Sequence, residues 1–278
     1  MLINKSAMER ITMLGTGAAL VTKIYNTCFT LSDDASGEHF LVDGGGGNGI
    51  LRQLELAGIS ELNIHHAFIS HNHSDHILGL VWMVRAISQH IIKNRYAGNF
   101  VIYGHPKSLD AIQTISRLVM KPQLTASTFG TRILFRPVAD GDSLDILGRR
   151  TTFFDLHSTK ELQHGFTCSL LSGKKLSFLG DEPFNEEDRR YVENSDLLMQ
   201  EAYCLYSERD KFHPYEKHHG TVLDSCRNAA SLNAKATLLF HTEARTPIEE
   251  RRDRYVAEGQ TVFAGPVYVP RDLEVITL

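Results

Sequence analysis

The chain has 278 residues, 42% hydrophobic and 22% charged, with a formal net charge of −4. A chain this long buries well over half of its surface, and this charge excludes a strongly basic nucleic-acid binder held mainly by phosphate contacts, a local basic patch aside. Its 4 cysteines (Cys28, Cys168, Cys204, Cys226) are widely spread without a C-x-x-C pair, so neither a disulfide framework nor a thiolate zinc site is expected and a reducing, cytoplasmic setting fits.

In chain order, 10–14 reads as a strand ending in a glycine turn. Lys5 and Arg10 before ITMLGTGAALV have the outline of a short signal peptide. Thr12, Gly15, Thr16 and Gly17 break the apolar stretch, and Glu9 stands in its basic part, so the strand is preferred. Strands follow at 27–31 and 39–42, the second stopped by GGGGNG at 44–49, where glycine permits unusual angles and close approach. A helix is expected over 48–57, a short strand over 66–70 and a helix over 77–90. The richest apolar run, 77–84, includes a glycine and falls far short of the ~18 residues a membrane span requires. A strand over 100–103 precedes a helix over 108–120, which Pro122 terminates.

The second half opens with strands at 131–137, 143–147, 151–156, 166–171 and 175–179. A helix at 186–193 and a strand at 197–202 follow. The helix over 221–232 has a start signal, Thr221 with Asp224 three residues on. A strand at 236–240, a helix at 247–258 and a strand at 273–278 complete the chain. No repeat, low-complexity tract or linker appears, so residues 1–278 read as one domain. Each half runs strands first and then alternates helix with strand. Two packed sheets with helices outside fit that order better than a doubly wound parallel sheet.

The 14 histidines cluster unevenly, most densely in Ser70-His71-Asn72-His73-Ser74-Asp75-His76 after the strand AFIS. Neutral imidazole and carboxylate are what zinc and similar divalent ions take when cysteine is absent. His71 and His73 are two apart in an extended segment, so both rings can point to one side. Asp75 and His76 lie at the turn into the next helix and can face a second ion. Chance would give H-x-H-x-D-H in roughly two chains in a thousand of this composition, which disfavours a plain solvated loop.

This motif resembles the signature of the metallo-β-lactamase superfamily. MLGTGAA (13–19), YNTCFTL (25–31), LVDGGGGN (41–48), FISHNHSDHILGL (68–80) and VADGDSLDI (138–146) are similar to its ribonuclease Z-like branch. The resemblance implies an α+β four-layer αβ/βα sandwich, two mixed β-sheets with helices on the outer faces. It implies two divalent metal ions per chain, zinc, with manganese or iron as alternatives. It assigns His71, His73 and His157 to the first ion and Asp75, His76 and His241 to the second, with Asp181 bridging. His157, Asp181 and His241 each follow an apolar β run that could deliver them to a common rim. His164 competes with His157, since it stands just before Gly165-Phe166 and the gap from His157 is longer than usual. His157 is preferred, and His164 reads as a surface loop residue.

The resemblance also sorts the chemistry. Oxygen-reducing diiron relatives carry glutamate where His73 stands, which favours hydrolysis. His76 is present and no cysteine ends a strand, which favours a phosphodiesterase over a lactamase. A metal-bound hydroxide would attack phosphorus, oriented by Asp75 or Asp181. KHHGTVLDSCRNAA (217–230) is similar to the segment carrying the branch's catalytic histidine, here His219, with Glu201 as its hydrogen-bond partner. By itself, a position at a helix start lowers a histidine's basicity and eases loss of its proton. The branch's long tRNA-binding arm is missing, since only 181 − 157 = 24 positions separate His157 from Asp181. The expected substrate is a small phosphodiester or an RNA end, with no membrane partner; the oligomeric state is open, a homodimer included. Hydrolysis of a thioester, lactone or β-lactam at the same metals, and a non-catalytic metal-binding regulatory role, are the alternatives.

Overall fold

The computed structural model describes residues 9–33 and 35–278. Lys5, weighed above in a leader, lies outside them. Among the described residues the strands form two seven-stranded sheets. The first contains β1 (Glu9–Gly15), β2 (Cys28–Asp33), β3 (His39–Val42), β4 (His66–Ile69), β5 (Phe100–Gly104), β6 (Ile133–Pro137) and β14 (Glu274–Thr277), in the order β14-β1-β2-β3-β4-β5-β6. The second contains β7 (Ser143–Ile146), β8 (Arg149–Asp155), β9 (His164–Ser169), β10 (Lys175–Phe178), β11 (Leu197–Glu201), β12 (Thr237–Phe240) and β13 (Val267–Tyr268), in the order β13-β12-β11-β10-β9-β8-β7.

Each sheet is half meander and half crossover. β14, β1, β2 and β3 pair antiparallel, and β3 to β6 pair parallel. β7 to β10 pair antiparallel, and β10 to β13 parallel. Parallel neighbours need a crossover, which the helices supply on the outer faces. α1 (Gly49–Leu56), α2 (Ser74–Ile92), α3 (Pro106–Val119) and α4 (Pro122–Thr128) fall in the first half. α5 (Arg189–Val192), α6 (Arg209–Phe212), α7 (Val222–Ser231) and α8 (Ile248–Gly259) fall in the second.

The strands' two-residue period divides the apolar side chains among three clusters. Phe40 and Val42 of β3 and Phe68 of β4 face Phe166, Phe178 and Phe240 across the gap between the sheets. Leu41, Ala67 and Ile69, the residues between, meet Ile77, Leu80, Val84 and Ile87 of α2. Leu239 of β12 packs with Val222, Cys226 and Tyr255 under α7 and α8. A buried ion pair at 2.7 Å, Glu9 of β1 with Arg149 of β8, ties the sheets together. The result is the helix–sheet–sheet–helix sandwich expected. α3 ends at Val119, ahead of Pro122 as expected, and Pro122 also opens α4, because a proline is well placed in a first turn that needs no N–H. The expected helix over 186–193 is a 3₁₀ turn followed by the short α5.

Candidate metal centre

Several strands deliver polar residues just past their carboxyl ends, at one rim. Asp43 follows β3, the His71–His76 run follows β4, and Asp181 lies just beyond β10. Glu201 ends β11, and His241 follows β12. This is where open α/β sheets place their ligands. Asp43 and His241 both adopt left-handed backbone, with φ of 56° and 58°, where a non-glycine residue is strained.

Asp181 is the centre of the arrangement. One carboxylate oxygen, Oδ1, lies 3.6 Å from His71 Nε2. The other, Oδ2, lies 3.5 Å from His241 Nε2 and 3.8 Å from His76 Nε2. Two groups of donor atoms meet here: His71, His73 and Asp181, and Asp75, His76 and His241, of which His76 and His241 also approach Asp181 Oδ2. His219 joins Asp181 and His241 in a third such group.

The imidazoles are held so that one nitrogen of each is left for the centre. His71 Nδ1 lies 3.0 Å from Ser70 Oγ, which donates to Asp43 at 2.8 Å. His76 Nδ1 donates to Asp43 at 2.8 Å, and His241 Nδ1 lies 3.2 Å from Thr27 Oγ1, itself a donor to the Gly17 carbonyl. Each ring therefore turns its Nε2 inward. Burial pushes His71 below the ordinary histidine range and His241 down to about 3. Burial also opposes charge on Asp181, but His71, His241 and His76 hold its carboxyl well below the usual range. For His76, Asp75 and Asp43 override burial and raise the pKa.

These residues fit divalent ions on an observation of their own. His76 Nε2 and Asp181 Oδ1 are buried without a hydrogen-bond partner, and buried polar groups left so are costly. His71 Nε2 and His73 Nδ1 approach to 2.9 Å. A cation between such atoms satisfies all of them.

His157 is not brought into this cluster. Its backbone is left-handed, φ 53°, and its ring turns toward Glu187 and Asp188, whose carboxylates each lie 3.6 Å from Nε2. His164 is buried rather than on the surface, and its ring stacks on His105 at 5.4 Å. Beside the first group stands a residue not foreseen, Lys160. It donates to the Asp181 carbonyl at 3.0 Å. Asp43, Ser70 and Thr27 were also missed as supports, although DGGGGN and the serine before His71 carried the signal for the first two.

His219 and Glu201 do meet. His219 Nδ1 lies 2.7 Å from Glu201 Oε2, and the Gly220 N–H donates to Glu201 Oε1 at 2.6 Å. The His219 ring sits between Tyr203, stacked at 5.2 Å, and His241 at 5.1 Å. The expectation of a lowered basicity at the helix start is not met. Burial does lower it, but the adjacent Glu201 carboxylate overrides and raises the His219 pKa.

The profile of the family described as anti-Pycsar protein Apyc1 matches residues 9–232. The chain belongs to that family. Among curated relatives of this Apyc1-family chain, ribonuclease Z of Thermococcus sibiricus is 26% identical over 311 aligned positions, covering 98% of this chain and 97% of the relative. Among solved structures, the metallo-β-lactamase fold protein YhfI of Bacillus subtilis superposes with a TM-score of 0.76 at 17% identity, covering 98% of this chain and 100% of its own. The short form of human tRNase Z does so at 0.72 and 24%, covering 96% and 98%. These neighbours establish the metallo-β-lactamase fold. With the full-length likeness to ribonuclease Z, the Apyc1-family protein is a metal-dependent hydrolase of the ribonuclease Z-like branch.

Proposed function

We propose that this metal-dependent phosphodiesterase cleaves small phosphodiesters at two divalent ions, zinc by the nature of its donors, with manganese or iron as alternatives. His71, His73 and Asp181 would hold one ion, and Asp75, His76, His241 and Asp181 the other. Two ions so held would acidify a water between them and draw charge from a phosphoryl oxygen. Asp75, in the first turn of α2, would orient the attacking oxygen. His219 gives its Nδ1–H to Glu201 and keeps a proton at Nε2 for the leaving oxygen.

The observation that carries the reading is the cavity His219 lines. Its volume is about 610 Å³, and Tyr203, Phe212, Lys23, Lys211, Lys217 and Arg245 line it too. The size suits a small molecule rather than a folded RNA, with an RNA end the larger alternative. Four cations there suit an anionic substrate. Glu243, the acid in its wall, is engaged with the backbone N–H groups of Arg245 and Thr246.

The test is turnover of an aryl phosphodiester by the purified full chain. Expected is hydrolysis that a chelator abolishes and Zn²⁺ or Mn²⁺ restores, with nitrocefin left intact. Hydrolysis of nitrocefin but not of the phosphodiester would overturn the proposal.

A further inference from the structure

Glu201 grips only one edge of His219. The ring is carried by a loop, and the residue before it, His218, has left-handed backbone with φ of 57°. One hydrogen bond from Nδ1 to Glu201 leaves the tilt of the imidazole plane unset, and a tilt about that bond would re-aim the proton at Nε2. The tilt is set by what lies on the two faces. Tyr203 stacks on one, 5.2 Å away and within 13° of parallel, and His241 covers the other at 5.1 Å and 37°.

Tyr203 comes from the same run of chain as Glu201. Glu201 ends β11 and Tyr203 stands two positions on. Residues two apart along extended backbone present their side chains to one side, so this run supplies both the grip on the edge and the plate on the face. It is locked to the His219 loop. The Tyr203 N–H donates to the Gly220 carbonyl at 3.0 Å, the Val222 N–H donates to the Cys204 carbonyl at 2.9 Å, and Cys204 and Thr221 form a parallel bridge. Tyr203 is itself fixed. Its carbonyl accepts the Glu243 N–H at 2.8 Å and the Tyr255 hydroxyl at 3.3 Å. Its ring meets Phe212 edge-on at 6.4 Å. Its hydroxyl accepts from Lys217 Nζ at 3.1 Å, and that ammonium also donates to the Phe212 carbonyl at 2.8 Å.

We infer that Tyr203 is a positioning residue: its flat ring, and not its hydroxyl, sets the plane of His219 and so aims the Nε2 proton at the leaving oxygen. The inference rests on the reading of His219 as the acid. Aim matters because a misplacement of about 1 Å can cost on the order of 10²-fold in rate.

The experiment compares kcat of the metal-loaded full chain on two aryl phosphodiesters that differ only in the leaving group, phenol against p-nitrophenol. Tyr203→Leu should lower kcat for the phenol ester by about 10–100-fold more than for the nitrophenol ester, with bound metal unchanged. Tyr203→Phe, which keeps the ring, should hold the ratio of the two rates to within about threefold of the wild-type value. With His219→Ala already present, Tyr203→Leu should change the ratio no further, because no imidazole is left to aim. Tyr203→Met serves in place of the leucine variant where that one lacks a native melting transition. A wild-type ratio in the leucine or methionine variant, a phenylalanine variant as impaired as these, or a further change beside His219→Ala would overturn the inference while leaving His219 as the acid. A ratio that His219→Ala itself does not move would sink the acid reading, and the inference with it.

Discussion

At the scale of single residues, the rim is governed by which nitrogen of each ring is free. Asp43 takes the Nδ1 proton of His76 and, through Ser70, anchors His71, so one carboxylate orients two candidate ligands. Glu201 does the same for His219. His219 also has donor atoms near Asp181 and His241, so acid and ligand roles must be told apart by experiment. As the acid, His219→Ala should leave bound metal unchanged and lower turnover of a diester with a poor leaving group by about 10²–10⁴-fold. The loss should shrink for leaving groups that depart without a proton. Metal analysis and a series of aryl diesters check this; loss of metal, or an equal loss across the series, would point to a ligand or structural role. The residues legible beforehand were those whose partners are close in sequence. His71, His73, Asp75 and His76 fall within six positions, and Asp181 and His241 each end an apolar run. His157 ends one too, but its direction is set by a left-handed backbone and by carboxylates thirty positions on, Glu187 and Asp188. Lys160 was illegible for the same reason, since only the folded loop puts it against Asp181.

At the scale of elements, α2 was legible from its spacing, with Ile77, Leu80, Val84, Ile87 and Ile91 all buried along one stripe. Short pieces such as α6 and β13 carry too few residues for a period to show. Hidden as well was how α2 is seated. It crosses the glycine run after β3 at backbone contact: the Gly44 N–H donates to the His76 carbonyl and the Gly79 N–H to the Gly45 carbonyl, both at 2.9 Å. A β-carbon at Gly79 would lie 1.7 Å from the Gly44 carbonyl oxygen. That oxygen belongs to the backbone beside Asp43 and cannot rotate aside. Gly79→Ala should therefore destabilise the protein by about 1–3 kcal/mol or more. It should also weaken metal binding, because the helix that must move carries Asp75 and His76 in its first turn. Denaturant unfolding and metal analysis of the variant test both effects. A wild-type midpoint would mean that helix and turn separate freely.

At the scale of the whole molecule, the question is how large a substrate the surface can hold. The span between His157 and Asp181 contains a loop and the hairpin of β9 and β10, and no projecting arm. Four cations line the cavity that His219 shares, and Lys160 stands close by. The outer face of α8 interleaves Glu249, Glu250, Asp253 and Glu258 with Arg252 and Arg254, Arg251 being buried, and offers no uniform positive stripe. Each phosphate neutralised by a protein contributes about −0.9 to the slope of log affinity against log salt on a duplex. A diester with one charge should then lose less than about fourfold in kcat/KM between 50 and 200 mM salt. A precursor tRNA would need many such contacts, and neither that span nor α8 offers a row of them. Side by side at physiological salt, the aryl diester should be cleaved and the precursor tRNA should not be processed efficiently. Specific, efficient cleavage at the tRNA 3′ end with a steep salt dependence would show that a phosphate-binding surface exists elsewhere, and the chain would then be a ribonuclease Z that works without its arm.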